Sequence, residues 1–547
     1  MFTIATLLLM QAAPAPAAVA LSDSGDPPGR VARIALLEGS VALQPSGETG
    51  ASSWSDASIN YALTSGDRLY AERGGRAELQ VGNCTLRING VADLTIATLT
   101  DDFLQVSLAT GTLRVSVYEL SDSDSVEVDT PNGAVLLRRA GTYRIDVSES
   151  DDATTAAVDN GLADVAAGET TQSLHGGDAL RLEGSDPIRV TTIPFPRSDD
   201  FDRWSAARDQ PLGASASAQY VGRDVPGYDE LDRAGQWETD ADYGPVWYPT
   251  TVVVGWAPYR FGRWVWIDPW GWTWVDDAPW GWAPFHYGRW GYLHSRWGWF
   301  PGPRRRHPCY APALVVFVSV GRVGVQGWFP LGPREPYHPW YHHGDRYRDR
   351  INPDIVEARP RDVRYVNRPQ VTAVPAWTFQ RGEAVGRRVV RVTNAEVDRA
   401  EIIAHPRFSP VRRGVTGTRA APQAPATPRP VIQVTPWRRP ASAAPVAKPA
   451  APPTRRVPPH VIARNPPAPQ ALPFPTRQKG MQTDPGRPLE PEQRDNLREG
   501  KPAGPHRDAE DPPDRRPAQA APKPKSAPPP QAAPPKRPQQ RPSGRPS

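Results

Sequence analysis

The runs Leu104-Gln-Val-Ser-Leu108 and Leu113-Arg-Val-Ser-Val117 decide the reading of the first third of this 547-residue chain. Side chains on an extended strand alternate faces with period two, so Leu104, Val106 and Leu108 share one side and Gln105 and Ser107 the other. Leu113, Val115 and Val117 stand against Arg114 and Ser116 in the same way, and each run reads as a half-buried strand. The same grammar extends over residues 30–190 through Ser40-Val-Ala-Leu-Gln44, Ala77-Glu-Leu-Gln-Val81 and Cys84-Thr-Leu-Arg-Ile88. Gly74-Gly75, Gly82-Asn83, Asn89-Gly90, Asn132-Gly133 and Asn160-Gly161 supply the positive φ that tight hairpin turns require. No long 3.6-residue period competes, so this region predicts a β-sandwich, roll or solenoid.

Composition divides the rest. The chain holds 66 Pro and 45 Gly, too many for one packed domain of this length. Residues 21–200 carry 13 Arg and no Lys against 28 Asp and Glu, whereas residues 404–547 carry 26 Lys and Arg against 9 acids. The net charge of +5 therefore hides an acidic head and a basic tail. Such a tail either seeks an anionic partner or folds back on the head. Cys84 and Cys309 form no disulfide framework. The apolar stretch over residues 2–10, followed by Ala18-Val-Ala20, reads as a signal peptide over 1–20, although no Lys or Arg precedes the apolar run. No other stretch approaches the length of a membrane span, so association with a membrane is expected to be peripheral at most.

Residues 241–340 gather most of the chain's 19 tryptophans. Ala257-Pro-Tyr-Arg-Phe-Gly-Arg-Trp264 returns 26 residues later as Ala283-Pro-Phe-His-Tyr-Gly-Arg-Trp290. Trp270-Gly-Trp272, Trp280-Gly-Trp282 and Trp297-Gly-Trp299 put paired indoles on one sheet face with a bare glycine on the other. Asp268-Pro269 and Asp276-Asp277 are turn chemistry, so the segment predicts a β-meander of short hairpins. Two uses of the rings follow. They pack on one another, with Arg263 and Arg289 stacked on them, or some remain exposed as flat platforms for sugar rings or proline-rich peptides. On the second reading the candidate ligand-binding residues are Trp264, Trp266, Trp270, Trp272, Trp280, Trp282, Trp290, Arg263 and Arg289.

Two family resemblances rest on these residues. Leu37-Glu-Gly-Ser-Val41, Leu63-Thr-Ser-Gly-Asp-Arg-Leu69, Gly75-Arg-Ala-Glu-Leu-Gln-Val81, Val128-Asp-Thr-Pro-Asn-Gly133 and Ala140-Gly-Thr-Tyr-Arg-Ile145 resemble the FecR domain, a periplasmic β module. In signalling proteins that domain follows a cytosolic sigma-factor-binding bundle and a membrane span, neither of which is read here. Val246-Trp-Tyr-Pro249, the two repeat copies and Gly327-Trp-Phe-Pro-Leu-Gly-Pro-Arg-Glu335 resemble a tryptophan-rich domain of unknown function found downstream of FecR-like domains in Gram-negative envelope proteins. That family implies no catalytic residues.

The expected organisation is a mainly β chain: signal peptide 1–20, FecR-like domain 30–190, linker 191–240 with a short helix near Asp200–Ala207, Trp-rich module 241–340, a partly ordered extension 341–405, and a disordered proline-rich tail 406–547. In the extension, Val363–Val366, Val371–Pro375 and Val389–Val392 are expected edge strands, and Thr393 opens a capped helix. His338, His342, His343 and Asp345, with His307 and Cys309, are the one group with metal-ligand chemistry, but their spacing fits no zinc pattern, and neither metal nor cofactor is expected. Asp276 and Asp277 read as turn acids rather than a glycosidase pair. His175 reads as a turn residue, and no phosphate loop or nucleophile elbow is present. The expected function is a non-enzymatic periplasmic or cell-envelope binding or scaffold protein whose partner is peptidoglycan, another glycan or an envelope protein, not nucleic acid. A glycan hydrolase and a FecR-type signalling regulator are the alternatives.

Overall fold

The spine of the head is a pair of long strands, Cys84–Leu99 and Phe103–Val117, antiparallel in a register that sets Leu86 opposite Val115 and Leu94 opposite Leu108. The computed structural model describes residues 25–417, 431–433 and 460–506; the 1–20 leader and the remainder of the 406–547 tail lie outside the described residues. The runs 104–108 and 113–117, expected as separate strands, are one, because Gly111 takes φ 96° in the middle and lies against the backbone of Ala92. Opposite it, Asn89-Gly90 is not the expected hairpin turn; the register shifts between Asn89 and Asp93, and the chain continues as a bulged strand. Gly82-Asn83 does make a two-residue hairpin, closing Val81 onto Cys84.

Strands from Ala32–Glu38 to Arg76–Val81 build onto Cys84–Leu99, and those from Ser125–Thr130 to Arg189–Thr192 build onto Phe103–Val117. Most pairings are antiparallel; Phe103–Ser107 against Ser125–Asp129 is parallel. The leucine and valine faces meet in a core that includes Leu79, Leu86, Leu104, Val106, Leu113, Val115 and Val128.

The polar faces are covered too, which corrects the half-buried expectation. The expected short helix runs from Asp200 to Ala214, opened by an Asp199–Asp202 capping box, and lies on the sheet through ion pairs. Arg114 meets Asp202 at 2.5 Å, Arg87 meets Asp209 at 2.7 Å, and Arg208 meets Glu78 at 2.8 Å. Farther along the same faces lies part of the segment expected to be disordered. Residues 460–506 contain the strand Val461–Ala463 and helices Phe474–Gly480 and Pro491–Arg498. Glu127, sealed in the head, accepts from the backbone N–H of Arg464 at 2.7 Å and of Asn465 at 3.1 Å. Gln105 donates to the Asn465 carbonyl at 2.8 Å. Glu48 accepts from the Phe474 N–H at 2.8 Å and pairs with Arg477 at 3.3 Å and Arg412 at 3.0 Å. Proline-rich sequence needs no ladder of its own here, since head carboxylates satisfy its backbone donors. Of the two fates available to a basic tail beside an acidic head, this segment takes the fold-back.

The aromatic module is three small sheets. Gly235–Asp240, from the expected linker, heads one that continues through Gly244–Pro249, Arg296–Phe300 and Arg289–Leu293; the second is the hairpin Gly262–Ile267/Gly271–Asp276. The third orders Thr372–Pro375, Val325–Pro330, Val315–Ser319 and Glu401–Ile403. Thus 371–375 supplies an edge strand as expected, whereas 363–366 and 389–392 form none. Thr393 caps the helix Asn394–Arg399 reciprocally with Glu396.

Arg33 joins head to module. Fully buried on the first strand, it donates from Nε to Asn60 Oδ1 at 3.0 Å, pairs with Glu230 at 2.5 Å, and reaches the Pro279 carbonyl at 2.6 Å. Asn60, held at φ 61°, donates onward to the carbonyls of Asp276 and Ala278 at 3.1 and 2.7 Å.

Arg33→Met strands Glu230 and the facing carbonyls, at a cost of about 3–5 kcal/mol for a broken buried pair. Calorimetry on the variant is expected to show a lowered melting temperature with head and module transitions pulled apart; an unchanged single transition contradicts the bridging role. Glu48→Gln is expected to speed tryptic cleavage at Arg477 and Lys479, read by mass spectrometry, while cleavage within the head stays slow.

Candidate ligand cavity

Tryptophan pairs build the middle of the module. In the hairpin Gly262–Ile267/Gly271–Asp276, Trp264 stands opposite Trp274 and Trp266 opposite Trp272. Their rings meet edge to face at centroid separations of 5.4 and 5.3 Å. Each such pair contributes about 0.5–1.5 kcal/mol beyond its buried area. The repeat folds onto itself. Tyr259 and its counterpart Phe285 meet perpendicularly at 4.9 Å, and the Tyr259 hydroxyl donates to the Phe285 carbonyl at 2.9 Å.

The three Trp-Gly-Trp units differ. Trp297-Gly-Trp299 lies in a strand, and a Cβ at Gly298 would press to 2.7 Å from Val246. Trp270-Gly-Trp272 straddles a turn with Gly271 at φ 77°, and Trp280-Gly-Trp282 is a loop in which Gly281 makes room for Asp276.

The exposed-platform expectation is corrected here. Trp264, Trp266, Trp270, Trp272, Trp280, Trp282 and Trp290 are all buried. The rings are enclosed because the module is larger than residues 241–340. Phe317 and Phe379, the latter from the extension, close over Trp264, and Phe408, from the expected tail, closes over Trp272. Some indole N–H groups go to fixed acceptors, Trp290 to the Pro284 carbonyl at 2.8 Å, Trp328 to that of Tyr259 at 3.0 Å and Trp274 to Asp276 at 3.0 Å, whereas those of Trp264 and Trp272 are buried with no acceptor among the described residues. A sealed ring cannot stack on a sugar. Arg263 is also spoken for, reaching Ser58 of the head at 2.5 Å.

Arg289 is different. It begins the strand Arg289–Leu293, and its guanidinium donates only to neutral acceptors: the Glu335 carbonyl at 3.0 Å, the Gly288 carbonyl at 2.8 Å and Asn352 Oδ1 at 2.9 Å. It is 6% exposed, and burial pulls its pKa down to about 10. It lines a cavity of about 300 Å³ with Tyr243, Trp299, Phe300, Pro301, Pro333 and Arg334. Strand Arg296–Phe300 places Trp299 and Phe300, and the turn after Gly235–Asp240 carries Tyr243, whose ring meets Phe300 edge to face at 5.1 Å. Of the nine residues expected to bind ligand, only Arg289 lines this cavity. Tyr243, Phe300 and Arg334 were missed because no periodicity marks them; they converge only through tertiary folding.

Residues 228–335 match DUF6600, a family of unknown function. The DUF6600 segment contains both repeat copies and most of the cavity wall. Two solved structures of a candidate anti-sigma factor from Parabacteroides distasonis are similar at 13% and 12% identity, with TM-scores of 0.21 and 0.22. Each match covers 23% of this chain and 59% of the other. No curated protein matches the sequence.

Other candidate chemistry is engaged structurally. Asp276, buried, accepts from Trp274 and from the Ala278 N–H at 3.0 Å, and burial raises its pKa well above the carboxylate range. Among the described residues, no group of three His, Cys, Asp or Glu comes together to hold a metal, and no helix is long and apolar enough to cross a membrane. Cys84 and Cys309 are free and buried, with pKa values pushed up to about 12.

His286, in the second repeat copy, packs against both Trp282 and Tyr310, which also touch each other, and donates from Nδ1 to the Ala311 carbonyl at 2.7 Å. Among the described residues its Nε2 has no partner, and burial pulls its pKa from 6.5 down to about 3. The unfolded chain therefore takes up a proton first. The stability held by neutral His286 is intact above pH 6.5 and is lost as pH falls from there toward 3. His286→Phe is expected to be less stable than the parent at neutral pH but to lose less on acidification, measured as urea midpoints across that range; parallel pH profiles contradict this.

Proposed function

We propose that the protein is a non-enzymatic binding or scaffold component of the cell envelope, exported by its N-terminal segment, with its ligand site in the DUF6600 cavity rather than on a tryptophan platform. The observation that carries this reading is the cavity itself: aromatic and proline walls beside a buried cation, in a segment whose Asp276 is buried and hydrogen-bonded at a strand end. Ligand sites are usually such apolar concavities with a few fixed polar groups. A glycan hydrolase would need two acids facing one cleft. Asp276 faces inward instead, which favours binding over turnover.

The head is read as a FecR-like module. Support comes from where the resembling residues sit: Gly39 and Gly66 take φ 67° and 90° at strand ends, and Asn132 lies in the two-residue turn that joins Thr130 to Gly133. The partner is proposed to be peptidoglycan, another envelope glycan or an envelope protein, met by a head-and-module body whose basic C-terminal residues add non-specific attraction for anionic polymer.

Cell fractionation with N-terminal sequencing, followed by co-sedimentation of the full chain with purified sacculi at graded salt, tests this. The expected result is a periplasmic chain lacking its first twenty residues that sediments with sacculi. A cytoplasmic chain with those residues intact, or one that stays in the supernatant at every salt concentration, overturns it.

A further inference from the structure

Arg289 presents an electrostatic problem that the fold leaves open. A guanidinium withdrawn from water normally has a carboxylate partner, because burying the charge alone costs several kcal/mol. The other deeply buried arginines follow that rule: Arg33 has Glu230, Arg68 has Asp93 at 2.5 Å, Arg87 has Glu78 at 2.9 Å and Arg477 has Glu48. Arg289 has two carbonyls and an amide oxygen. Of its five N–H donors these take three, and the group borders open space rather than packed side chains. The Glu335 carboxylate acts on Arg289 through space but makes no hydrogen bond to it, since its two oxygens accept from the Gly332 and Val366 N–H groups at 2.6 Å.

The surroundings specify what would supply the missing charge. Tyr243 and Phe300, backed by the buried Trp299, form an apolar wall, with Tyr243 39% exposed at the mouth. Arg334 stands over the Tyr243 ring at 5.0 Å and donates to the Asp242 carbonyl at 2.8 Å. The acids at the rim do not neutralise Arg289: Asp354 is paired with Arg305 at 2.8 Å, and Asp242 is exposed. One buried positive charge beside an apolar wall matches one negative charge on an apolar body. A carboxylate fits, and accepts from a guanidinium in the bidentate manner. A phosphate brings closer to two charges than one at neutral pH.

We infer that the DUF6600 cavity is a binding site for an organic carboxylate, the carboxyl group held by Arg289 and the apolar body lying against Tyr243 and Phe300. This rests on the reading of the protein as a binding component and names the ligand chemistry of its site. A peptide C-terminus and a free aryl or acyl acid share that chemistry.

Phenylacetate and phenylacetamide, equal in shape and different in charge, test it by isothermal calorimetry on the full chain. The acid is expected to bind at least about tenfold more tightly than the amide, the worth of one charge-assisted contact in a desolvated site. Arg289→Gln is expected to abolish that preference. Because Arg289 also holds backbone carbonyls, Tyr243→Ala at the exposed mouth is the second variant; it should melt like the parent and weaken both compounds. An N-acetylated dipeptide beside octanoate separates the two sources. Equal affinity for acid and amide, no heat from either at millimolar concentration, or a Tyr243→Ala variant that binds as the parent does overturns the inference. Loss of sedimentation with sacculi would bear on the envelope reading alone.

Discussion

The architecture depends on one guanidinium taken out of water. Arg33 sits on the first strand of the head, and its hydrogen bonds run to Asn60 and Gln80 within the head and to Glu230 and the Pro279 carbonyl beyond it. Desolvating that charge costs several kcal/mol, and the cost is recovered only when both sides are in place. Neither the head alone nor the aromatic module alone completes its set of acceptors. The residue therefore works less as a source of net stability than as a condition on assembly: a head docked in another register leaves an ion uncompensated. Arg33 also lies 5.9 Å from the Trp282 ring, so the contact reaches the repeat on which the module is built.

The same logic recurs on the polar faces of the head sheet, with carboxylates in the central position. Glu78 is shared by Arg87 and Arg208, which fixes the helix Asp200–Ala214 on the sheet. Glu48 and Glu127 hold the returning segment after residue 460. Glu78 and Glu127 sit on strands and Glu48 in the loop after Val41–Gln44, and their partners come from sequence with weak structure of its own. An exposed ion pair is worth little, but these acids are buried, and removing one would leave guanidinium or backbone N–H donors unsatisfied. Charge asymmetry along the chain thus becomes a packing device.

Much of this was legible in the sequence and some was not. Period-two alternation located the core face of the head strands correctly, because side-chain direction follows from the backbone alone. The fate of the other face was invisible. Gln105 looks like a solvent residue in any local window, yet it is fully buried and donates to the carbonyl of Asn465, hundreds of positions away. Composition misjudged residues 460–506 for the same reason: proline-rich sequence builds no core of its own, yet it can lie in one that exists. The Thr393–Glu396 capping box was readable because it is wholly local. Gly90 and Gly111 were read as turn signals or passed over, whereas their positive φ serves bulges in continuous strands.

The tryptophans mark the limit of composition as a guide to function. Twin rings spaced by glycine suggest a surface for stacking when counted within residues 241–340. Phe317, Phe379, Phe408, Trp328 and Trp340 belong to the same cluster, and they convert the platform into an interior. Once the rings are spent on packing, recognition has to come from what the packing leaves unbalanced. Two such features coincide: a concavity beside Phe300 and, among the described residues, a buried cation at its edge with no carboxylate hydrogen-bonded to it. Rigid aromatic packing suits such a role, since a charge held in place by stiff neighbours cannot relax toward water and keeps its demand for an anion. The aromatic density that first reads as a binding face is better understood as the frame that holds Arg289 still.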